Sequence, residues 1–236
     1  MRSERVRLRL YGLLGMRDES AFDALSDGGS VAAIEASLAA LLSTRVTGDY
    51  FEFGLYRGYS FWSAQRAATR IGNSSMRFFG FDSFEGLPDI EGNDRKAGIF
   101  VPGDYRCTRP EVERCLTDHG FDWDRAVLVE GFFDRSLTPE IKRRHAMSSA
   151  ALVMIDCDLY QSTVPVLEFI ADLLQQGTIL LFDDWYAFAE ADDRGEPRAF
   201  REFLAAHPGW TAERRQRFGR YGQAFVMRRS EGLADH

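Results

Sequence analysis

Asp49-Tyr50-Phe51-Glu52-Phe53-Gly54-Leu55-Tyr56-Arg57-Gly58-Tyr59-Ser60 is the stretch on which the fold turns. Its first half, Asp49 to Gly54, is short, apolar and rich in aromatics, as a buried strand is. Gly54 and Gly58, four apart, free the backbone to turn and to approach a ligand closely. A helix is predicted from about Ser60 to Thr69. The spacing is not GxGxxG, because the second glycine arrives too late, so a ligand without a pyrophosphate is favoured over a dinucleotide. A purely structural turn accounts for the two glycines equally well.

The same succession extends in both directions. Upstream, Val31, Ile34, Leu38, Leu41 and Leu42 fall at helical spacing after a break and cap at Gly28–Ser30. Downstream, strands are predicted at Met76–Asp82, Ala126–Glu130, Ala151–Asp156 and Thr178–Asp183. Helices are predicted at Pro110–His119, Ser162–Gln175 and Arg198–Ala206, and a last strand, Gln223–Arg228, lies in a C-terminal hairpin. Strands alternating with helices imply an α/β domain with a mostly parallel sheet covered on both faces. In such sheets ligands bind beyond the carboxyl ends of the strands.

The chain has 236 residues, 45% of them apolar and 13% aromatic. That suits one domain with a decorated edge and excludes disorder for its bulk. The net charge of −7 argues against non-specific binding to nucleic acid or to an anionic membrane, since both need a cationic face. No apolar run approaches the ~20 residues that span a bilayer. Cys107, Cys115 and Cys157 are an odd number without a CxxC pair, the pattern of reduced thiols in a cytoplasmic protein. Arg5, Arg7 and Arg9 alternate with Val6, Leu8 and Leu10 in an amphipathic arm, Arg2 to Tyr11. That arm makes a homo-oligomer the expected state. His119, His145, His207 and His236 show no ligand spacing, and the Arg-rich C-terminal hairpin reads as a solvated face.

Unusual residues gather at the predicted strand ends. Asp82 ends the second strand, where a carboxylate can accept hydrogen bonds from ribose hydroxyls or simply cap a turn. Phe84 and Phe132 can flank a flat base or pack in the core. Asp156 and Asp158 share one side of an extended strand end, with Cys157 on the other. One helical crossover leads to Asp183 and Asp184, so the two strand ends are neighbours. Clustered carboxylates repel one another unless a cation joins them, and hard oxygen ligands without His or Cys select Mg²⁺, Mn²⁺ or Ca²⁺.

These residues together resemble a family. Glu52-x-Gly54-x-x-x-Gly58, Gly80-Phe81-Asp82-Ser83-Phe84-Glu85-Gly86-Leu87-Pro88, Glu130-Gly131-Phe132-Phe133, Ile155-Asp156-Cys157-Asp158-Leu159-Tyr160-x-Ser162-Thr163 and Phe182-Asp183-Asp184-Trp185 are similar to the motifs of the macrocin O-methyltransferases. The resemblance runs from about Tyr50 to Tyr186. It implies a class I, Rossmann-like fold with a seven-stranded, mostly parallel sheet and an antiparallel C-terminal strand. Residues 1–45 would form an arm and helices, residues 46–236 the methyltransferase domain, and Asp89–Cys107 a lid.

The activity implied is methyl transfer from S-adenosylmethionine, dependent on Mg²⁺, to a sugar hydroxyl in natural-product biosynthesis. Glu52, Gly54, Gly58 and Ser60 would line the methionine end of the cofactor. Asp82 would take the ribose hydroxyls, with Ser83, Phe84, Gly131 and Phe132 towards the adenine. Asp156, Asp183 and Asp184 would hold the metal, and Asp158 would be the general base. Tyr59 and Phe61 depart from the smaller residues usual at those positions, and the loop Ala187–Glu196 is idiosyncratic.

Asp156-x-Asp158 with Asp183-Asp184 also resembles haloacid-dehalogenase phosphatases, but Gln161–Leu181 lacks the lysine that chemistry requires. A phenol of the catechol type could serve as acceptor by the same metal logic. A non-catalytic S-adenosylmethionine-binding protein is the remaining alternative, and the intact set of carboxylates argues against it.

Overall fold

A computed structural model describes residues 29–188 and 193–230. The amphipathic arm and His236 lie outside the described residues. Helix α1 (Gly29–Thr44) leads into β1 (Asp49–Phe53), α2 (Tyr59–Arg70) and β2 (Phe78–Asp82). Then come α3 (Gly92–Ala97), α4 (Arg109–Asp118), a 3-10 turn at Trp123–Arg125 and β3 (Ala126–Glu130). Next are α5 (Phe133–Ser136), α6 (Pro139–Arg144), β4 (Ala150–Ile155), α7 (Tyr160–Ile170) and β5 (Ile179–Phe182). The remaining elements are α8 (Gly195–Ala206), β6 (Trp210–Phe218) and β7 (Gly222–Arg229).

The seven strands form one sheet in the order β3-β2-β1-β4-β5-β7-β6. β1 to β5 run parallel, and β7 pairs antiparallel with both β5 and β6. The strand order reverses between β1 and β4, the switch point where open α/β sheets leave a crevice. Gly54 and Asp156 follow those two strands directly.

Alternation along the strands divides the core between the two faces. Tyr50, Phe78 and Leu152 pack on one side with α1, α2 and α4. Phe51, Phe53, Phe79, Phe81 and Val153 pack on the other with α7 and α8. Rings stack across β1 and β2, Phe51 on Phe79 at 5.1 Å and Phe53 on Phe81 at 4.7 Å. Each such pair contributes about 1 kcal/mol beyond its buried area. From α1, Ala33, Ile34, Leu38 and Leu41 join the first of these clusters, whereas Leu42 on the predicted stripe is 51% exposed.

The structure departs from the sequence pattern at the end of α7 and at β6. α7 stops at Ile170 rather than Gln175, because the chain turns there and the Leu173 carbonyl accepts from Ala150 N–H at the start of β4 (2.8 Å). β6, for which the sequence offered no range, is an edge strand with a mostly exposed, Arg-rich surface. Arg217 of this strand lies over the Tyr186 ring at 3.7 Å, and its Glu213 pairs with Arg228 of β7 at 2.7 Å. No helix among the described residues is long and apolar enough to cross a membrane.

Candidate active site

Gly54 leaves β1 with φ 91°, and a Cβ built on it would stand 1.8 Å from the Asp156 carbonyl oxygen. Only glycine allows that approach of two backbones at the switch point. Asp82, at the end of β2, fastens the same turn. Its Oδ2 accepts from Leu55 N–H (2.7 Å) and Tyr56 N–H (3.2 Å), while Oδ1 accepts from Phe84 N–H (2.7 Å). Burial raises the Asp82 pKa, opposed by these three donors. Gly58 serves packing, since a Cβ there would press on Leu116 and Val112 of α4.

Glu52 is buried beneath this turn. It accepts from the Tyr50 hydroxyl and from Ser60 Oγ at 2.6 Å. Burial pushes its carboxyl up to about 8, against the two hydrogen bonds that favour the charged form. Ser60 is the link between Glu52 and the cavity, because Ser60 lines it and Glu52 does not.

The cavity has a volume of about 900 Å³ and opens over the carboxyl ends of β1, β2, β4 and β5. Gly54, Ser60, Asp82, Ser83 and Phe132 line one side, and Asp156, Asp158, Asp183 and Asp184 line another. Glu52, Gly58, Phe84 and Gly131 stand outside the lining. The Phe84 side chain is 4% exposed in the core, so its backbone rather than its ring faces the site. Gly131 binds through its N–H to the Asp82 carbonyl (2.9 Å).

Asp156, Asp183 and Asp184 each offer a carboxylate oxygen, and the three atoms lie within 4.8 Å of one another. Parallel pairing of β4 with β5 brings them together: Asp183 N–H donates to the Ile155 carbonyl at 3.0 Å. Burial, then the charges of Asp183 and Asp184, hold the Asp156 pKa well above the usual carboxylate range. The donor set, all carboxylate oxygen, fits a hard divalent cation, and such a cation would relieve the mutual repulsion.

Asp158 is buried among these groups, and its pKa is raised by burial first and by Asp156 second. It reaches them by an unexpected route. β4 ends at Ile155, and Asp158 adopts φ 61°, while Leu159 N–H closes a tight turn on the Cys157 carbonyl at 2.6 Å. The alternation expected of an extended end therefore does not operate at Asp158, although both aspartates line the same cavity. Cys157 does face the opposite side, in the core beside Thr163.

Several residues join the site without a signal that local sequence reasoning registers. Ser30, at the start of α1, donates through Oγ to Asp183 Oδ1 at 2.7 Å. Glu196 is fully buried, and its Oε2 accepts from Asp184 N–H at 3.1 Å. The sequence pattern puts Glu196 in the loop Ala187–Glu196, whereas α8 begins at Gly195. Tyr105, from the segment expected to be a lid, has φ 60° and meets the Tyr56 ring edge-on at 6.0 Å. Tyr105 lines the cavity with the carboxylates, and partial burial together with the charges of Asp158, Asp184 and Asp156 pushes its hydroxyl pKa up.

Residues 29–206 match the model of the family described as macrocin-O-methyltransferase (TylF). The chain is 27% identical over 150 residues to the 8-demethyl-8-(2,3-dimethoxy-alpha-L-rhamnosyl)-tetracenomycin-C 4'-O-methyltransferase of Streptomyces olivaceus. That match takes in 61% of this chain and 56% of the relative, so the chain spans little more than half of that protein's length. Among solved structures, the O-methyltransferase NovP superposes with a TM-score of 0.72 at 20% identity, covering 84% of this chain and 79% of NovP. CalS11, a calicheamicin methyltransferase, superposes with a TM-score of 0.66 at 25% identity, covering 83% and 77%. The seven-stranded sheet with antiparallel C-terminal strands is thus the class I O-methyltransferase fold.

Proposed function

The chain belongs to the macrocin O-methyltransferase family, and from that premise we propose that it methylates a sugar hydroxyl of a natural product with S-adenosylmethionine as donor. The observation that carries the reading is the convergence of Asp156, Asp183 and Asp184, with Asp158 beside them, in the cavity that the Gly54–Ser60 turn also lines. The relatives point to the acceptor. The tetracenomycin relative is named for a rhamnosyl position, and CalS11 is described as a TDP-rhamnose 3'-O-methyltransferase.

Asp156, Asp183 and Asp184 would hold a divalent cation, Mg²⁺ in the first instance. Its charge would lower the pKa of a nearby hydroxyl, which is otherwise far too weak an acid near neutral pH. Ser60, Gly54 and Asp82 would receive the donor, and Ser83 and Phe132 its adenine end. Asp158 takes the hydroxyl proton as the oxygen–carbon bond forms; the sulfur–methyl bond breaks and sulfur keeps the electron pair. The turn and the metal-binding loop, in backbone contact at Gly54 and Asp156, hold the two reactants in one geometry.

The test is incubation with S-adenosylmethionine and Mg²⁺ across nucleotide-linked rhamnose, rhamnosylated aromatic polyketides and simple catechols, with products read by mass spectrometry. A glycoside gaining one methyl group, and losing that gain under chelator, is the expected result. Methylation of catechols alone would overturn the acceptor class. Donor binding without turnover on any acceptor would make the protein a non-catalytic binder.

A further inference from the structure

Asp94 is the one acidic residue of α3 in the segment 89–107 and is buried, at 5% exposure. A buried carboxylate needs donors for its oxygens. Asp94 finds them on two other elements. Its Oδ2 accepts from Tyr160 N–H at 2.6 Å, and its Oδ1 accepts from Gly195 N–H at 2.9 Å. These are the first residues of α7 and α8, where backbone N–H groups lack helical partners and a negative charge is favoured.

Both anchor points sit next to the reacting groups. Tyr160 follows Asp158 by two residues, on the turn that sets the aspartate's left-handed backbone. Gly195 precedes Glu196, whose carboxylate holds Asp184 N–H. The segment is tied further by Gln161, whose Nε2 donates to the Asp89 carbonyl (2.8 Å) and whose Oε1 accepts from Glu91 N–H (2.9 Å). Asp89, Glu91 and Tyr105 of the same segment line the cavity. One buried carboxylate therefore joins the wall of the acceptor space to the loop of the base and, through Glu196, to the loop of a metal ligand.

We propose that Asp94 is a positioning residue: it staples the 89–107 segment over the cavity and couples that segment's closure to the placement of Asp158 and Asp184. The inference rests on the methyltransferase reading for its kinetic part and on geometry alone for its structural part. An acceptor that seats under the segment meets a preformed site only while both hydrogen bonds hold. The donor side, built from Gly54, Ser60 and Asp82, shares no hydrogen bond with Asp94.

The experiment compares full-length wild type, Asp94→Ala and Asp94→Asn. Hydrogen–deuterium exchange is read in peptides covering 89–98 and 159–164, S-adenosylhomocysteine affinity by calorimetry, and steady-state kinetics with nucleotide-linked rhamnose as acceptor. Two hydrogen bonds to a charged group are lost in Asp94→Ala, so exchange in both peptides should quicken at least ~10-fold. S-adenosylhomocysteine affinity should stay within about threefold, while acceptor KM rises and kcat/KM falls at least ~30-fold. Asp94→Asn keeps one acceptor oxygen and the volume, and it should recover part of both effects. Should Asp94→Ala fail to fold, Asp94→Asn carries the same readouts in the same direction.

Unchanged exchange in both peptides overturns the staple. Faster exchange with acceptor kinetics unchanged overturns the coupling, and an equal loss of product-analogue affinity reduces Asp94 to a general structural role, which also overturns it. A wild type that methylates no acceptor overturns the methyltransferase reading instead, and the exchange measurement still decides the staple.

Discussion

Gly54 and Asp156 touch through their backbones: a single Cβ on Gly54 would stand 1.8 Å from the Asp156 carbonyl oxygen. The Gly54 turn and the first aspartate of the carboxylate triad thus share one rigid joint at the switch point of the sheet. Gly54→Ala must displace β4 from β1 and also strain a backbone at φ 91°. The cost should be about 3 kcal/mol or more. Thermal unfolding should show a drop of several degrees together with loss of donor binding, and a variant with wild-type Tm and affinity would remove the joint from this account.

In the proposed reaction Asp158 takes the proton. Asp158→Asn keeps the shape of the turn and removes the basic oxygen pair, so donor affinity should remain while kcat falls ~10²–10⁴-fold. Calorimetry with S-adenosylhomocysteine and single-turnover methylation separate the two effects. Undiminished turnover would transfer the base role elsewhere.

The proposed metal dependence rests on the carboxylate triad. Chelator should abolish methylation and Mg²⁺ should restore it. Asp183→Asn should weaken Mg²⁺ binding at least ~10-fold, as removing a charged ligand does. Isothermal titration with Mg²⁺ alone gives that reading without reference to activity. Ser30→Ala, which removes the hydroxyl held by Asp183, should lower Mg²⁺ affinity by a smaller factor, about threefold.

The pH dependence has a definite sign. Glu52 is raised to about 8 in the folded protein, chiefly by burial, against 4.5 for the ordinary group. Between those values the folded state holds a proton that the unfolded chain has released, so stability falls as pH rises. Below about 4.5 both states are protonated, and above about 8 both are ionised, so the contribution levels at each end. Metal-free protein should lose Tm steadily from pH 5 to 8. Glu52→Gln should flatten that slope; an unaltered slope would assign the effect to the other buried carboxylates.

Much of this site was legible in the one-dimensional pattern. The run Asp49–Phe53, the paired glycines and the acids directly after apolar runs mark strand ends, and strand ends in a parallel sheet mark the site. The crossover from Asp156 to Asp183 spans a single helix, so their adjacency followed from topology. Phe84 was legible only by type: the ring is core, and the backbone N–H that Asp82 holds is what faces the turn. Asp158 lines the same cavity as Asp156 in a geometry that strand alternation does not give, since its φ is set by the Cys157–Leu159 turn.

The class of fold, the switch point and the two acidic strand ends are written in periodicities of a few residues, so they are legible in one dimension. Only the tertiary structure decided which distant groups complete the site. Ser30 reaches Asp183 across 153 positions, and Asp94 reaches Gly195 across 101. Glu196 meets Asp184 around a loop whose composition carries no period. Such contacts are made by the packing of whole helices on the sheet, and a hydrogen bond between segments so far apart leaves no mark on the residues between them.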